Sequence, residues 1–378
     1  MKKFVIAPDS FKGSMSSVEV CDIIKTKLKQ FYPYSEVVEI PVADGGEGTS
    51  DCFIQLLGAE KVTLEATGPY NEKLKGYYAR KGNTAILETA MFAGLPLAEG
   101  RLDPSLTTTF GVGTMIRHAI ENGCREIIIG LGGSCTNDAG TGMACALGIK
   151  FKNKSGEEFI PTGATLGVIA QIDTTLADQL LKDCKIIAMC DIDNPMYGKN
   201  GAAYVYAPQK GADEEMVLLL DKNLMDLSNT IKSQLGVDVS EIPGSGAAGA
   251  MGAGILAFLK GSLKPGIETV LDLVGFDDAI KDADIVFTGE GKIDGQSLRG
   301  KVVIGVAARA AKMNVPVIAI VGDVGEGAEV AYSMGVSAIV SINRVALPFE
   351  KAKSRSKKDL ADTVDMVMRL LKHQVIQK

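Results

Sequence analysis

Four loops of the sequence combine glycine with acidic, hydroxyl or lysine side chains, and each follows a short apolar run. They span residues 9–13, 44–49, 132–138 and 288–301. Glycine lets a backbone approach an anion closely, and lysine neutralises a phosphate or a carboxylate as a point charge. Carboxylates can hold a magnesium ion or accept the proton of a hydroxyl group. These loops are therefore the candidate ligand-binding segments of the chain.

The loop at 132–138 is the richest of these in glycine and polar residues. The preceding EIIIGL is typical of a buried strand and residues 140–148 of a helix with small side chains, so the loop is predicted to be a strand-to-helix turn. Its backbone N–H groups and the helix dipole could hold a phosphate. A tight turn beside a closely packed helix is the alternative. Ser134, Thr136, Asn137 and Asp138 favour a ligand, because packing alone does not need four hydrogen-bonding side chains.

The loop at 9–13 follows the N-terminal strand KKFVIA and precedes an amphipathic helix. In a parallel sheet it would lie at the carboxyl end of its strand, where ligands bind. Ser10 and Lys12 are candidate substrate contacts, and Lys12 could neutralise a phosphate or a carboxylate. The alternative is an Asx turn that caps the helix. Because Ser16 and Glu19 form a predicted capping box, Lys12 is left available for a ligand.

The loop at 44–49 interleaves two acids with three glycines. Asp44 could bind Mg²⁺ or accept the proton of a substrate hydroxyl. Glu47 could also contact the substrate, or it could be an acid in the first turn of the following helix, where the dipole favours it. Both interpretations of Glu47 stay open.

Two further acids follow the predicted strand KIIAMC. The alternating spacing of Asp191 and Asp193 places oxygen ligands within reach of one hard cation. A turn with Asx caps is the alternative. A second glycine-rich run, at 243–254, opens a predicted helix and is another candidate anion site.

The loop at 288–301 offers acids, lysines and glycines together. Glu290 and Asp294 could serve a metal or act as a base, Lys292 and Lys301 could bind phosphates, and Gly289 permits a close approach. The loop is not a P-loop, because an apolar residue follows its last lysine. It also lacks the dinucleotide-binding fingerprint.

Composition excludes several classes of protein. The 378 residues carry a net charge of −6, which argues against nucleic acid as a partner. Seven cysteines without a CxxC pair indicate free thiols in a reducing cytoplasm, and no signal peptide or apolar run of membrane-spanning length is apparent. With two histidines, a Ser-His-Asp hydrolase or a histidine-rich zinc site is improbable.

The order of elements that must position these loops predicts an α/β protein of two domains. Strands and helices alternate regularly from residue 284 onward, as in a doubly wound parallel sheet, and the N-terminal strands have the same character. Short alternating strands at 61–97 predict a mixed sheet. We therefore expect a discontinuous Rossmann-like domain of residues 1–65 and 280–378, a large inserted α/β domain of mixed sheet at 66–279, and a ligand between them.

Six segments taken together resemble the bacterial glycerate kinase family. They are APDSFKG at 7–13, PVADGGEGT at 41–49, GLGGSCTNDAGTGM at 130–143, CDIDNP at 190–195, PGSGAAGAMGAG at 243–254 and TGEGKIDGQSLRGK at 288–301. They occur in order over nearly the whole chain, with one departure at Ala250, where another glycine is expected. The resemblance implies ATP-dependent phosphorylation of D-glycerate, with Mg²⁺ required and 2-phosphoglycerate as the product; 3-phosphoglycerate stays an option. It also implies two α/β domains, one of them inserted.

Phosphoryl transfer depends mainly on positioning, on cations around the phosphates and on a base near the attacking hydroxyl, and the roles of individual residues are assigned from that chemistry. The predicted catalytic residues are Lys12, Asp44, Asp191 and Asp294. The predicted substrate contacts are Ser10, Lys12, Asp44, Glu47 and Asn137. The predicted nucleotide contacts are Gly132, Gly133, Ser134, Thr136, Gly289, Glu290 and Lys292. The predicted Mg²⁺ ligands are Asp191, Asp193 and Asp294.

Two other functions share parts of this pattern. A hydroxy-acid dehydrogenase would have a similar sheet but needs a dinucleotide fingerprint, and a non-catalytic sensor of sugar acids would not need so many acids. A kinase for another small hydroxy acid is also compatible with the pattern. The substrate hydroxyl and the oligomeric state, a homodimer among the options, stay open.

Overall fold

The computed structural model describes residues 1–11, 13–42, 49–295, 301–345 and 347–375. The chain divides into two compact units, residues 1–44 with 266–378 and residues 45–265. We call them the discontinuous unit and the inserted unit. Lys12, Asp44 and Glu47, three of the predicted site residues, lie outside the described residues.

Fourteen strands are present in the described residues. In chain order they are β1 (Lys3–Ile6), β2 (Glu36–Glu39), β3 (Glu60–Thr67), β4 (Lys73–Lys81), β5 (Thr84–Glu88), β6 (Glu126–Gly130), β7 (Lys150–Lys152), β8 (Glu158–Phe159), β9 (Gln171–Asp173), β10 (Lys185–Met189), β11 (Ser262–Lys264), β12 (Ile285–Ile293), β13 (Val317–Val324) and β14 (Ala338–Ser341).

Fifteen α-helices accompany these strands within the described residues. They are α1 (Ser17–Phe31), α2 (Thr49–Leu57), α3 (Ala90–Ala93), α4 (Phe110–Glu121), α5 (Thr141–Ala146), α6 (Thr175–Leu181), α7 (Ala202–Tyr206), α8 (Glu214–Leu235), α9 (Ala247–Phe258), α10 (Gly266–Leu273), α11 (Phe276–Ile280), α12 (Val302–Lys312), α13 (Val330–Ser333), α14 (Phe349–Ala352) and α15 (Ser356–Val375). Short 3₁₀ helices lie at Leu95–Ala98, Gly163–Val168, Pro208–Lys210 and Lys353–Arg355.

The discontinuous unit contains a five-stranded parallel sheet in the order β14-β13-β12-β1-β2. Strand order runs outward in both directions from the β1/β12 pair, so right-handed crossovers place helices on both faces. Helices α1 and α15 pack together, and the core between them and the sheet includes Phe4, Ile6 and Phe287. Helix α12 packs on β12 and β13. This is the doubly wound parallel sheet that the sequence predicts.

The start of α1 follows directly from its sequence. The Glu19 N–H donates to Ser16 Oγ at 3.2 Å, and the Ser16 N–H donates to Glu19 Oε2 at 2.9 Å. These two bonds form the predicted capping box, which satisfies N–H groups that a helix start otherwise leaves unpaired. Neighbouring residues therefore fix the position at which the loop after β1 ends and α1 begins.

The inserted unit contains a six-stranded mixed sheet in the order β11-β10-β6-β5-β4-β3. Strands β3, β4 and β5 are antiparallel neighbours, whereas β5, β6, β10 and β11 are parallel. The parallel strands follow one another in chain order, so right-handed crossovers place the connecting helices on one face. A small antiparallel sheet, β8-β7-β9, lies after α5 in the chain. The mixed α/β architecture of this unit is also as predicted.

The boundaries between the two units lie at residues 44 and 265, whereas the sequence predicts them at about 65 and 280. Helix α2 packs on β4 and β5, and Ser50 at its start donates its N–H to Glu88 at 2.6 Å. Helices α10 and α11 are tied to α12 by the buried Arg309, which pairs with Glu268 of α10 at 2.7 Å and with Asp277 of α11 at 3.4 Å. Side-chain pairs across long sequence separations therefore lie next to both boundaries.

One buried carboxylate joins two helix starts in the inserted unit. Asp138 is fully buried and accepts four hydrogen bonds, from the Thr109 N–H and Oγ1 at 2.8 Å each and from the N–H groups of Gly140 and Gly142 at 3.2 Å each. Thr109 Oγ1 in turn accepts the Met143 N–H at 2.9 Å. Burial raises the pKa of Asp138, and these hydrogen bonds oppose that rise. The acid therefore links the starts of α4 and α5.

We expect Asp138→Asn to lower the free energy of unfolding by about 2–4 kcal/mol, because an amide would turn an NH₂ group toward backbone N–H donors. Urea unfolding of the full chain measures this change. Asp183→Asn is the matched control, because Asp183 is an exposed acid of the same unit. Equal stability of the two variants would show that the four hydrogen bonds do not need a carboxylate.

Candidate active site

A cavity of about 480 Å³ lies at the carboxyl edge of the parallel sheet in the discontinuous unit. Four strands contribute residues to it: Asp9, Ser10 and Phe11 after β1, Glu290, Gly291 and Lys292 in β12, Gly322 and Asp323 in β13, and Ile342 and Asn343 after β14. In open parallel sheets, ligands bind at this edge, where the strand order reverses. Here the reversal is at β1 and β12, so the cavity lies where this fold binds ligands.

The wall of this cavity carries charged side chains of both signs. Lys292, Lys301 and Lys353 supply cations, and Asp9, Glu290, Asp323 and Asp359 supply carboxylates. The apolar part of the wall comes from Phe11, Ile342, Leu347 and Ala352. A wall that combines apolar surface with a few convergent charges is typical of a small-molecule site.

Backbone pairing positions the residues of the loop after β1. The Asp9 N–H donates to Gly289 O at 2.8 Å, and Thr288 Oγ1 donates to Ala7 O at 2.8 Å. The Ser10 N–H donates to the Asp9 carboxylate at 2.6 Å. The predicted substrate residue Ser10 is therefore held beside β12, where Glu290 and Lys292 also line the cavity.

Two other predicted site residues, Gly289 in β12 and Asp294 directly after it, make close contacts within the protein. A Cβ atom on Gly289 would lie 2.0 Å from Ile320 O, so glycine there allows β12 and β13 to approach each other. Asp294 Oδ2 lies 3.2 Å from Lys292 Nζ. The predicted metal ligand and the predicted phosphate contact are thus an ion pair in this structure.

Sequence reasoning missed several polar residues of this cavity, among them Asp323, Asn343 and Lys353. Asp323 ends the apolar run VPVIAIVGD, so its place after a strand was a usable signal. Asn343 follows a shorter strand, and Lys353 lies in a basic segment that looks like an ordinary solvated surface. Their proximity to β12 depends on the order of strands in the sheet.

The glycine loop after β6 lies in the inserted unit. Gly132 and Gly133 are exposed, and Ser134, Thr136 and Asn137 are buried. Two backbone hydrogen bonds join this loop to the segment that follows β5. The Leu95 N–H donates to Gly133 O at 2.8 Å, and the Cys135 N–H donates to Ala93 O at 2.9 Å. The strand-to-helix turn is therefore rigidly placed.

Several donors of this loop have no acceptor within the described part of the chain. The N–H groups of Gly132, Gly133 and Ser134 make no hydrogen bond to it. The side-chain oxygen of Thr136 and both polar atoms of the Asn137 amide are buried and also lack partners there. Buried polar groups are normally hydrogen-bonded, so an unsatisfied set of this kind requires an explanation beyond packing.

The second glycine run, at 243–254, packs against this loop. Ala248, Gly249 and Ala250 all adopt left-handed backbone conformations, with φ of 52°, 65° and 64°. A Cβ atom on Gly249 would lie 1.9 Å from Thr136 O, so this glycine is required for the contact. The predicted continuous helix is therefore kinked at its start, and left-handed alanines are a strained feature of the kind that clusters at functional sites.

The predicted metal ligands fall in different units. Asp191 and Asp193 are exposed after β10 in the inserted unit, and Asp294 belongs to the discontinuous unit. No group of three histidine, cysteine or acidic side chains in the described residues is arranged to hold a metal ion. The assignment of these three acids stays a prediction, as do the roles of Lys12, Asp44 and Glu47.

Three further features of the described residues concern the cysteines, one histidine and the apolar character of the helices. Six cysteines within the described residues are free thiols, at 21, 124, 135, 145, 184 and 190. His118 lies on α4, with its Nδ1 3.2 Å from the Tyr78 hydroxyl. Among the helices that the structure describes, none combines the length and apolar character needed to cross a bilayer.

Comparison with known proteins extends over the whole chain. The sequence model of the Glycerate kinase family matches residues 4–372. A glycerate kinase of Bacillus cereus (strain ATCC 10987 / NRS 248) is 44% identical, with 96% of each chain covered. The glycerate 2-kinase of Escherichia coli (strain K12) is also 44% identical, with 90% of each chain covered.

A solved structure agrees with these sequence matches. A crystal structure from Salmonella typhimurium LT2, assigned provisionally as glycerate kinase 2, has a TM-score of 0.88 and 38% identity, with 99% of each chain covered. The fold described above, with its parallel sheet and its mixed sheet, is therefore shared with that protein. The chain belongs to the glycerate kinase family, a family of phosphotransferases.

Proposed function

We propose that this protein transfers the terminal phosphoryl group of ATP to the 2-hydroxyl of D-glycerate, forming 2-phospho-D-glycerate and ADP. The observation that carries the proposal is the charged cavity at the carboxyl edge of the parallel sheet, in a chain that matches the family over residues 4–372. The relative from Escherichia coli, a glycerate 2-kinase, supports the 2-phospho product. We also propose that the protein acts in the cytoplasm, as its free thiols suggest.

The cavity fits a nucleotide in size and chemistry. Its volume of about 480 Å³ lies within the range of small-molecule pockets. Lys292 and Lys301 would neutralise phosphate charge, and Ile342 and Leu347 offer apolar surface for a flat base. Glu290 and Asp323 lie beside the lysines and would favour a cation that accompanies the phosphates.

The donor set also fits Mg²⁺ as it is commonly bound in kinases. Mg²⁺ is usually held by one or two carboxylates, by substrate phosphates and by water, so a dedicated cluster of three acids is not required. Asp294 is the predicted ligand closest to the cavity in sequence, and Asp191 and Asp193 are candidates in the inserted unit. When bound, the ion would neutralise the charge that develops on the phosphoryl group during transfer.

The remaining roles follow from the chemistry of the acceptor. Asp44 would orient the glycerate hydroxyl and accept its proton, and Lys12, with Ser10 and Glu47, would contact the substrate. The N–H groups of Gly132, Gly133 and Ser134 would hold anionic oxygen atoms, since they have no acceptor in the described chain. These side chains bind, orient and accept a proton, which is most of what phosphoryl transfer requires.

The first test is the reaction itself. With D-glycerate, ATP and Mg²⁺, we expect ADP release that depends on glycerate, and phosphorus NMR should identify 2-phosphoglycerate. Chelation of the metal should abolish the reaction, and its return should restore it. A 3-phospho product would identify the 3-hydroxyl of glycerate as the attacking group. Folded protein without glycerate-dependent ADP release would refute the proposed function.

The nucleotide site is tested by Lys292→Met. Loss of one charged contact to phosphate should raise the KM for ATP about 10- to 100-fold and change the KM for glycerate little. Lys312→Met is the control, because Lys312 is an exposed lysine at the end of α12. Equal KM values for ATP in the two variants would remove Lys292 from the nucleotide site.

The base is tested by Asp44→Asn. We expect kcat to fall about 10²- to 10⁴-fold, because an amide cannot accept the hydroxyl proton, while the protein keeps its fold. Circular dichroism and thermal unfolding would verify the fold, and Asp22→Asn, an exposed acid of α1, is the control. Turnover near that of the unmodified protein would exclude Asp44 from the mechanism.

A further inference from the structure

Lys210 is a buried lysine that none of the proposed roles uses. It ends the short helix Pro208–Lys210 of the inserted unit, and its exposed fraction is 2%. Lysine is almost never buried to this extent unless a group of opposite charge pairs with it, because removing an ammonium ion from water is costly. Its position therefore needs a specific explanation.

The partners of the Lys210 ammonium group are both in the glycine loop. Nζ donates to Ser134 Oγ at 3.0 Å and to Thr136 O at 2.7 Å. Both acceptors are neutral, and within the described residues Lys210 forms no ion pair with a carboxylate. The ammonium group thus lies directly beneath the loop, with two of its three donors used and no counter-ion in contact.

The nearest titratable groups do not contact the ammonium group, although the Asp138 carboxyl favours its charged form. Burial raises the pKa of the Cys135 thiol to about 11, which keeps it neutral at pH 7. The Asp138 carboxyl acts on Lys210 from beyond contact distance, and its oxygens already accept four hydrogen bonds. Burial lowers the pKa of Lys210 to about 8, so the amine is still protonated in most molecules at pH 7.

The loop above this charge has the complementary property of unused donors. The N–H groups of Gly132, Gly133 and Ser134 have no acceptor in the described chain, and the first two residues are exposed. A positive charge below a set of unpaired N–H groups creates a region that favours negative oxygen atoms. The missing counter-ion would therefore come from outside the protein.

We propose that Lys210 is a positioning residue whose counter-ion is an anionic oxygen group of a substrate bound at the loop of residues 132–137. The ammonium holds Ser134 and Thr136 in place and acts on the bound anion through the loop. This inference rests on the proposed function for the identity of the substrate, which offers two sources of such a group. They are the carboxylate of D-glycerate and the phosphates of ATP.

Binding to two neutral variants separates charge from hydrogen bonding. Lys210→Met removes both, whereas Lys210→Gln keeps an NH₂ donor for Ser134 and Thr136. Calorimetry would measure the affinity of each variant for D-glycerate alone and for ATP alone. If the charge acts on the bound anion, both variants should bind one of these ligands about 10- to 50-fold more weakly, and the ligand whose affinity falls is the one that supplies the anion. Wild-type affinity of the Gln variant for both ligands would overturn the proposal.

A second measurement uses the unmodified full chain, so it does not depend on the folding of a variant. In protein labelled with ¹³C at lysine Cε, Lys210 should titrate well below the other lysines. A bound anion favours the charged form, so D-glycerate or ATP should raise that pKa. No change with either ligand at saturation would refute the role of Lys210. If turnover of glycerate is absent but ATP raises the pKa, the proposed function fails and the inference about Lys210 stands.

Discussion

The inserted unit depends on the burial of a single carboxylate. Asp138 can remain in the core because four donors from residues 109, 140 and 142 surround it. Those donors belong to the starts of α4 and α5, whose N–H groups would otherwise be unpaired. Gly142 completes the arrangement, since a Cβ atom there would lie 2.1 Å from Thr108 Oγ1. The loop immediately before Asp138 is therefore anchored at its end.

The two units build their candidate ligand sites in different ways. In the discontinuous unit, the strand order reverses between β1 and β12, which leaves a crevice between loops that turn in opposite directions. The cavity with Lys292 and Glu290 lies there. In the inserted unit, the parallel strands follow in chain order without a reversal, so no such crevice is expected from topology. Its candidate site instead depends on two glycine-rich loops that pack against each other, at Thr136 and Gly249.

Local sequence predicted what local forces determine. The apolar runs of the strands, the capping box of Ser16 and Glu19 and the turn after β6 were all recognisable, because each depends on neighbouring residues. The left-handed run at Ala248–Ala250 was not predictable, since alanine ordinarily favours a helix there and the packing on Thr136 decides otherwise. Lys210 was also missed, because it meets Ser134 across 76 positions of sequence. The contacts of Arg309 with helices α10 and α11, across 41 and 32 positions of sequence, could not be recognised for the same reason.

Glycine in a loop therefore indicates a close approach without indicating what approaches. Gly289 stays a predicted nucleotide contact, and the space of its missing side chain is taken by Ile320 O, as that of Gly249 is by Thr136 O. The more specific sign of a ligand is a polar group that packing leaves without a partner. In the loop after β6, that sign is present in the N–H groups of residues 132–134, in the Asn137 amide and in a buried ammonium without a counter-ion in contact. The buried Asn137 amide and the Lys210 ammonium would each cost stability without a further partner, and their position beside exposed N–H groups supports the proposal that this loop binds an anion.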